Sequence, residues 1–369
     1  MKTKLVLLTL VSAFSFQPSA LLGQGSLTPP GAPAPTMKTL AQIEPRTPVG
    51  AATTPGDALS LYLITQPGAY YLTTNLAGVS GKIGIGIASD DVTLDLNGFA
   101  VIGVSGSSVG IAVMDTSHTN IAVRNGSVRG WGGYGMDMGA GRGCSYTDLR
   151  LSSNLGGLRA GPASIVHACT ATRNLGVGIS AGDGGVITAC TSRENTNHGI
   201  SASGAGVIIR ECSSIGNKGD GIHGVTSAVV QGCTARENSS HGVWTDTGSI
   251  IKDCVASLNG TNGILARWRS HVLRNNCNNN TGSGIAVEGD ASRVEANTVT
   301  GNTAHGIELS GTVNLVIHKS ARGNVGGNYD IISGNRVGII VVPTASGAIT
   351  GNGPGSGLGT ADPWANFAF

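Results

Sequence analysis

The chain has 369 residues, with 23 Lys and Arg against 21 Asp and Glu, Gly at 59 positions and aromatic residues at only 4%. A charge this close to balance excludes partners that need a concentrated positive field, such as nucleic acid or an anionic membrane surface. So much Gly and so few large side chains suit a thin, turn-rich coil better than a globule built around a thick core.

Residues 1–25 hold Lys2 and Lys4, an apolar run from Leu5 to Phe16 and a small-residue end at Gly23 and Gly25. That is the layout of a cleaved secretory signal peptide, with cleavage expected after Gly25. The run is too short to span a bilayer, and no later stretch is longer and equally apolar. The expected address is therefore secreted, whether periplasmic, cell-surface or extracellular. Residues 26–57 are rich in Pro and Ala and read as a linker or arm, with a short helix expected over 37–44. Ordered structure is expected from residue 58 to 345. Two strands at 61–64 and 70–72, around Pro67 and Gly68, are expected to cover its first coil.

From residue 163 to 307 one pattern is written seven times: Cys, four residues, Asn, three residues, Gly, then Ile or Val. Its first copy is Cys169, Asn174, Gly178 and Ile179. It recurs every 21 or 22 residues, from Cys190, Cys212, Cys233 and Cys254, with Asn195, Asn217, Asn238 and Asn259 in second place. In the last two copies Asn275 and Asn297 replace Cys, followed by Asn280 and Asn302. A fixed Gly-rich period of this length, with no helical pattern inside it, predicts a solenoid with one coil per repeat.

Alternation within strands puts residues two apart on one side, which allows the columns to be assigned. Val166, Ile187, Ile209 and Val230 ahead of the Cys face inward, as do the Cys itself and the small residue two later. The Ile or Val after the Gly and the residue two beyond it form a third inward set. Three inward sets imply a three-faced coil. The residues between, Ser180, Ser201, His223, Trp244, Leu265, Ala286 and Glu308, are expected to point outward. The Asn column sits where a turn is required; Asn tolerates left-handed backbone and bonds to its stacked copy, so the column reads as a structural ladder. The five Cys of the column would stack about 4.8 Å apart. In-register side chains that all point one way strain a disulfide, so the column reads as free, buried thiols. Residues 346–369 read as a C-terminal capping tail closed by Trp364 and Phe367.

These coils, together with Ile64 to Leu72 and the strand from Val92 to Gly98, resemble the secreted right-handed parallel β-helix repeat proteins of the pectin-lyase-like superfamily. The NosD-like periplasmic proteins linked to copper-site maturation are among them. The resemblance covers about residues 58 to 345. It implies an all-β, single-stranded right-handed parallel β-helix, a solenoid of three-faced coils of about 21–22 residues capped at both ends. It implies no single activity, since the superfamily holds lyases, hydrolases and epimerases. The hydrolase carboxylate set is represented here only by Asp90 and Asp91. The Arg-containing lyase motif and the Asp-Pro-His-Asp epimerase motif are absent.

What remains is a polar column just before the Gly, where His198, Asp220 and His241 recur at one-coil spacing. His223 and Trp244 lie three residues further on than Asp220 and His241. A His/Asp/His stack beside an outward Trp suits a sugar, held by stacking and hydrogen bonds, or a metal ion. The plain alternative is that a polar residue before Gly faces solvent at a turn. Trp131 and Tyr134 offer another sugar platform or else loop packing. The 21-residue interval is set by the coil and does not by itself mark a metal centre, so no metal ligands and no cofactor are assigned. The expected function is a secreted or envelope binding and structural module directed at a polysaccharide or cell-envelope glycan. The alternatives are a polysaccharide lyase or glycoside hydrolase acting at His198, Asp220 and His241, and copper handling as in the NosD-like proteins.

Overall fold

The computed structural model describes residues 44–114, 117–342 and 361–369, and the residues from Arg46 onward form one compact unit. The predicted signal segment, nearly all of the predicted helix and the first part of the tail lie outside the described residues.

The coils are built as the column logic requires. Each contributes three short strands, for example Ile165–His167, Thr170–Thr172 and Ile179–Ala181. Every strand pairs in parallel with its copy one coil on: Val166 with Ile187, Ala171 with Ser192, Ile179 with Ile200. The third strands stack into a 13-stranded sheet, and the first and second strands together form a 26-stranded one. The latter two faces join because Ser145–Ser152 runs across both, pairing with Ile165–His167 and with Thr170–Thr172. The interior is a column of Val, Ile and Ala, with Val166, Ile187, Ile209, Ile179, Ile200 and Ile222 fully buried. No helix of the described residues is long and apolar enough to cross a membrane.

Two corners of each regular coil turn on a single left-handed residue. Ala168 and Ala189 precede Cys169 and Cys190 with φ of 51° and 53°, and Arg173 and Glu194 precede Asn174 and Asn195 with φ of 53° and 55°. The left-handed residue is thus the neighbour of each ladder Asn, not the Asn itself as expected. The kink is placed one residue early so that the Asn side chain enters the coil. Once inside, the backbone N–H and Nδ2 of Asn174 both donate to Asn195 Oδ1, at 3.0 and 2.9 Å, and Nδ2 also donates to Leu151 O at 3.3 Å. The same arrangement joins the later rungs as far as Asn324.

All seven cysteines are free and buried. The thiol of Cys169 faces the carbonyls of Tyr146 and His167, the first of them the position that the ladder amides of Asn275 and Asn297 address in their own coils. Hydrogen bonding to neighbouring thiols, then burial, hold Cys169, Cys212 and Cys254 above the usual thiol range. The column passes into an Asn ladder where Cys254 N donates to Asn275 Oδ1 at 2.9 Å. Lys319 takes the place after Asn297. Its Nζ is buried without a hydrogen bond, and burial pushes its pKa well below the ordinary amine value.

The ends differ from expectation in detail. Ser60–Ile64 and Gly68–Tyr71 are not a covering pair. They are successive faces of the first coil, pairing onward through Ile64 with Ile87 and Tyr70 with Leu94. The covering comes from within the segment read as linker: Thr47–Pro48 pairs with Tyr70 and Tyr71, and Pro55 bridges Tyr62. An open strand edge must be paired or hidden, and these residues do both. At the other end Asn366–Ala368 lies as a parallel strand between Ser320–Arg322 and Ile340–Val341. This end is closed by backbone pairing, and Trp364 remains 51% exposed beside His318.

Candidate functional site

The Gly column fixes where the third face begins. A Cβ on Gly242 would lie 2.5 Å from Gly263 O and 2.6 Å from Asn259 Nδ2, so the chain approaches the Asn ladder too closely for any side chain. The residue just before each Gly is then held at the rim of the third face, and the residue two after it points outward from the strand. His198 and Asp220 occupy the first position, and His223, in Ile222–Gly224, and Trp244, in Val243–Thr245, the second. Backbone register pairs Ser201 with His223, His223 with Trp244 and Trp244 with Leu265.

Asp220 is the centre of the cluster and only 4% exposed. One carboxylate oxygen, Oδ1, accepts from Ser240 Oγ at 2.6 Å and from His241 N at 3.1 Å. The other, Oδ2, accepts from His223 Nδ1 at 2.8 Å and lies 3.4 Å from His198 Nδ1. Burial by itself would raise the Asp220 pKa, but the hydrogen bonds from His223 and Ser240, with His198 and the His241 amide, outweigh it and hold the group below the ordinary Asp value. His198 Nδ1 accepts from Asp220 N at 3.0 Å, so in the neutral ring the proton sits on Nε2. Burial, then the neighbouring His223, push the His198 pKa down against the pull of Asp220. In neutral His223 the Nδ1 proton goes to Asp220 and leaves Nε2 as a free acceptor.

The rings stack along the coil axis. His198 and His223 are 4.3 Å apart at 27°, and His223 and Trp244 are 4.3 Å apart at 4°. The Arg267 guanidinium continues the stack, 5.4 Å from the Trp244 ring and 5.5 Å from that of Trp268, with Glu288 holding its Nε at 3.3 Å. Cation–π contact of this kind attracts the guanidinium to the ring faces. Ser240 and Glu288 are not legible from the sequence, because they contribute only through neighbours one coil away.

The structure brings His198, Asp220, His223 and Trp244 together. His241 shares only its backbone N–H with the cluster. Its ring turns to the next coil, with Nδ1 2.9 Å from Thr261 Oγ1, and burial lowers its pKa. Ser180, Ser201, Leu265 and Ala286, on the outer side of the same strands, are buried all the same. Trp131 is 2% exposed and donates Nε1–H to Val101 O, so it is core and not a platform. Asp90 and Asp91 bind His118, Thr119 and Asn120 in the next coil and close a corner. A second group forms from His305, Glu308 and Asp330 further along the third face.

These pKa directions set an acid limit. Since the folded-state values of His198 and His241 lie below the ordinary 6.5, the unfolded chain takes up protons first as pH falls. Stability is then level above that value and declines below it, with Asp220 adding to the loss only below its ordinary 3.8. Thermal unfolding is expected at a lower temperature at about pH 5 than at about pH 7, and His198→Gln is expected to shrink that difference.

The chain belongs to the right-handed β-helix family: the family described as "Right handed beta helix region" matches residues 83–272 and 184–324. Among solved structures, the A-module of the mannuronan C-5 epimerase AlgE6 of Azotobacter vinelandii superposes with a TM-score of 0.60 at 16% identity. The match covers 73% of this chain and 89% of that one. The Dettilon tailspike protein superposes with a TM-score of 0.51 at 15% identity, over 76% of this chain and 60% of its own. At these identities the likeness is one of fold. A search of the curated proteins finds no match.

Proposed function

We propose that this β-helix is a secreted or envelope glycan-binding module whose third face, from His198 to Arg267, holds a polysaccharide along the coil axis. The observation that carries this reading is the His198, His223, Trp244 and Arg267 stack beside a buried, fully hydrogen-bonded Asp220. With their faces taken up by one another, the rings leave their edges to a ligand, and His223 Nε2, the Trp244 indole N–H and the Arg267 guanidinium are directional partners for sugar hydroxyl groups. The fold neighbour that acts on mannuronan is in keeping with a glycan partner, and the leader read in residues 1–25 is in keeping with export. A glycan array probed with the wild-type chain and with Trp244→Ala tests the reading. Binding to a defined polysaccharide that falls at least tenfold in the variant, about 1.4 kcal/mol, is the expected result. No binding to any glycan, or equal binding by both proteins, would refute it.

The Asp220 and His223 pair favours a second reading, polysaccharide cleavage with His223 Nε2 as the base. An imidazole oriented by a carboxylate through Nδ1 has the geometry a general base needs. Product formation from the bound glycan, lost in His223→Gln while binding persists, would establish it. Unchanged glycan after prolonged incubation would reject it.

A further inference from the structure

Two groups of His and acidic side chains among the described residues bring potential ligand atoms within 4.8 Å of one another, and they differ in one respect. In the first, His198, Asp220 and His223, the converging atoms already satisfy each other: Asp220 N donates to His198 Nδ1 and His223 Nδ1 to Asp220 Oδ2. An ion there would have to break both bonds. In the second, His305 Nδ1 is 4.0 Å from Glu308 Oε2 and 3.7 Å from Asp330 Oδ2, beyond hydrogen-bond reach of either. That nitrogen is shielded from solvent and has no hydrogen-bond partner. A buried polar atom left unpaired is unfavourable by roughly 1–3 kcal/mol, so its retention between two carboxylates calls for a ligand.

We propose that His305 Nδ1, Glu308 and Asp330 bind a divalent first-row transition ion of the zinc type. Ligand atoms about 2.0–2.2 Å from such an ion lie roughly 3.0–3.5 Å from each other, so the 4.0 and 3.7 Å separations from His305 Nδ1 need to close by about an ångström or less. The carboxylates have room to do so, with 40% of the Glu308 and 55% of the Asp330 side chain exposed. Glu308 is also oriented from behind. Buried Ser283 donates Oγ–H to Glu308 Oε2 at 2.7 Å and accepts from His305 N at 3.3 Å, the supporting contact that metal ligands commonly have. One imidazole with two carboxylates favours zinc-type ions over calcium or magnesium, which take oxygen alone. The open outer side leaves positions for water.

The site also has a place in the architecture. His305 and Glu308 lie on His305–Leu309, and Asp330 lies on Gly327–Ile331, the last strand of the third-face sheet. Glu308 and Asp330 are partners in register. An ion held among them ties the terminal strand to the stack, three coils and about 14 Å along the face from Trp244.

The test uses the full chain equilibrated with zinc chloride, desalted and assayed for metal per chain, with affinity measured against a chromophoric chelator. One zinc per chain is expected, with affinity at least tenfold weaker in Asp330→Asn and retention lost in His305→Gln, while His223→Gln binds as wild type. Asp330 is exposed, so its variant keeps the test decisive even if His305→Gln disturbs folding. Cobalt loading is expected to give a spectrum without thiolate charge transfer. No retained zinc, unchanged affinity in Asp330→Asn, loss in His223→Gln, or a thiolate signature from the cysteines would each overturn the proposal.

Discussion

Replacing Asn238 with Ala is expected to lower folding stability by about 3–5 kcal/mol, measured as a shift in the denaturation midpoint at unchanged slope. The side chain is buried and serves two coils. Its Oδ1 accepts from Asn217 N at 3.1 Å and from Asn217 Nδ2 at 3.0 Å. Its Nδ2 donates to Ser214 O at 3.1 Å and to Asn259 Oδ1 at 3.0 Å. Ala removes all four bonds and leaves the Asn217 backbone N–H buried without its acceptor, unfavourable by about 1–3 kcal/mol, while Asn217 Nδ2 keeps only Ser192 O and Ser214 Oγ. A loss under about 1 kcal/mol would mean that the ladder is ornament and the apolar columns alone hold the stack.

Gly242→Ala is expected to be about as damaging, for a steric reason. Its Cβ would sit 2.5 Å from Gly263 O, 2.6 Å from Asn259 Nδ2 and 3.1 Å from Ala256 Cβ. Two of these three belong to backbone or to a ladder amide fixed by its own bonds, so relief requires two coils to separate. The expected loss is about 3 kcal/mol or more, in the range of overpacked cores. Gly248 provides the control. It has φ of +71° and its nearest neighbour would be Ser227 Oγ at 3.6 Å, so Gly248→Ala meets only the left-handed backbone penalty, about 1 kcal/mol. Parallel chemical denaturation of the two variants checks the contrast, and equal losses would show that close approach is not what selects Gly at position 242.

Those two columns explain why so much of the fold was legible in the sequence. Asn238 and Gly242 are required in every coil by the same contact, so they repeat, and the repeat declares the coil length, its corners and its three faces. Columns say which residues stack, but they do not say which columns touch. His198, Asp220 and His241 were legible as one column and His223 and Trp244 as another. The structure joins them diagonally, Asp220 to His223 three residues on and His198 to His223 one coil on, and turns the His241 ring away toward Thr261. Leu265 and Ala286 point outward by alternation yet are buried, because in an in-register column a side chain is covered by its neighbours as well as by the core. Asp330 was missed for a different reason: the pattern loosens after Ile307, and only backbone pairing of Glu308 with Asp330 reveals that the third face continues. Thr47–Pro48 was hidden by its Pro-rich context, which reads as linker until Tyr70 and Tyr71 supply an edge to pair with.

The account rests on a division of labour: inward constant columns hold the coil together, and outward variable ones meet a ligand. Glycan affinity of Trp244→Ala, measured on protein whose melting temperature has been checked, tests that division most directly. The predicted result is an affinity at least tenfold weaker than wild type with a melting temperature within about 2 °C of it. Undiminished affinity, or a loss of binding that merely follows a collapse in stability like that expected of Asn238→Ala, would contradict it.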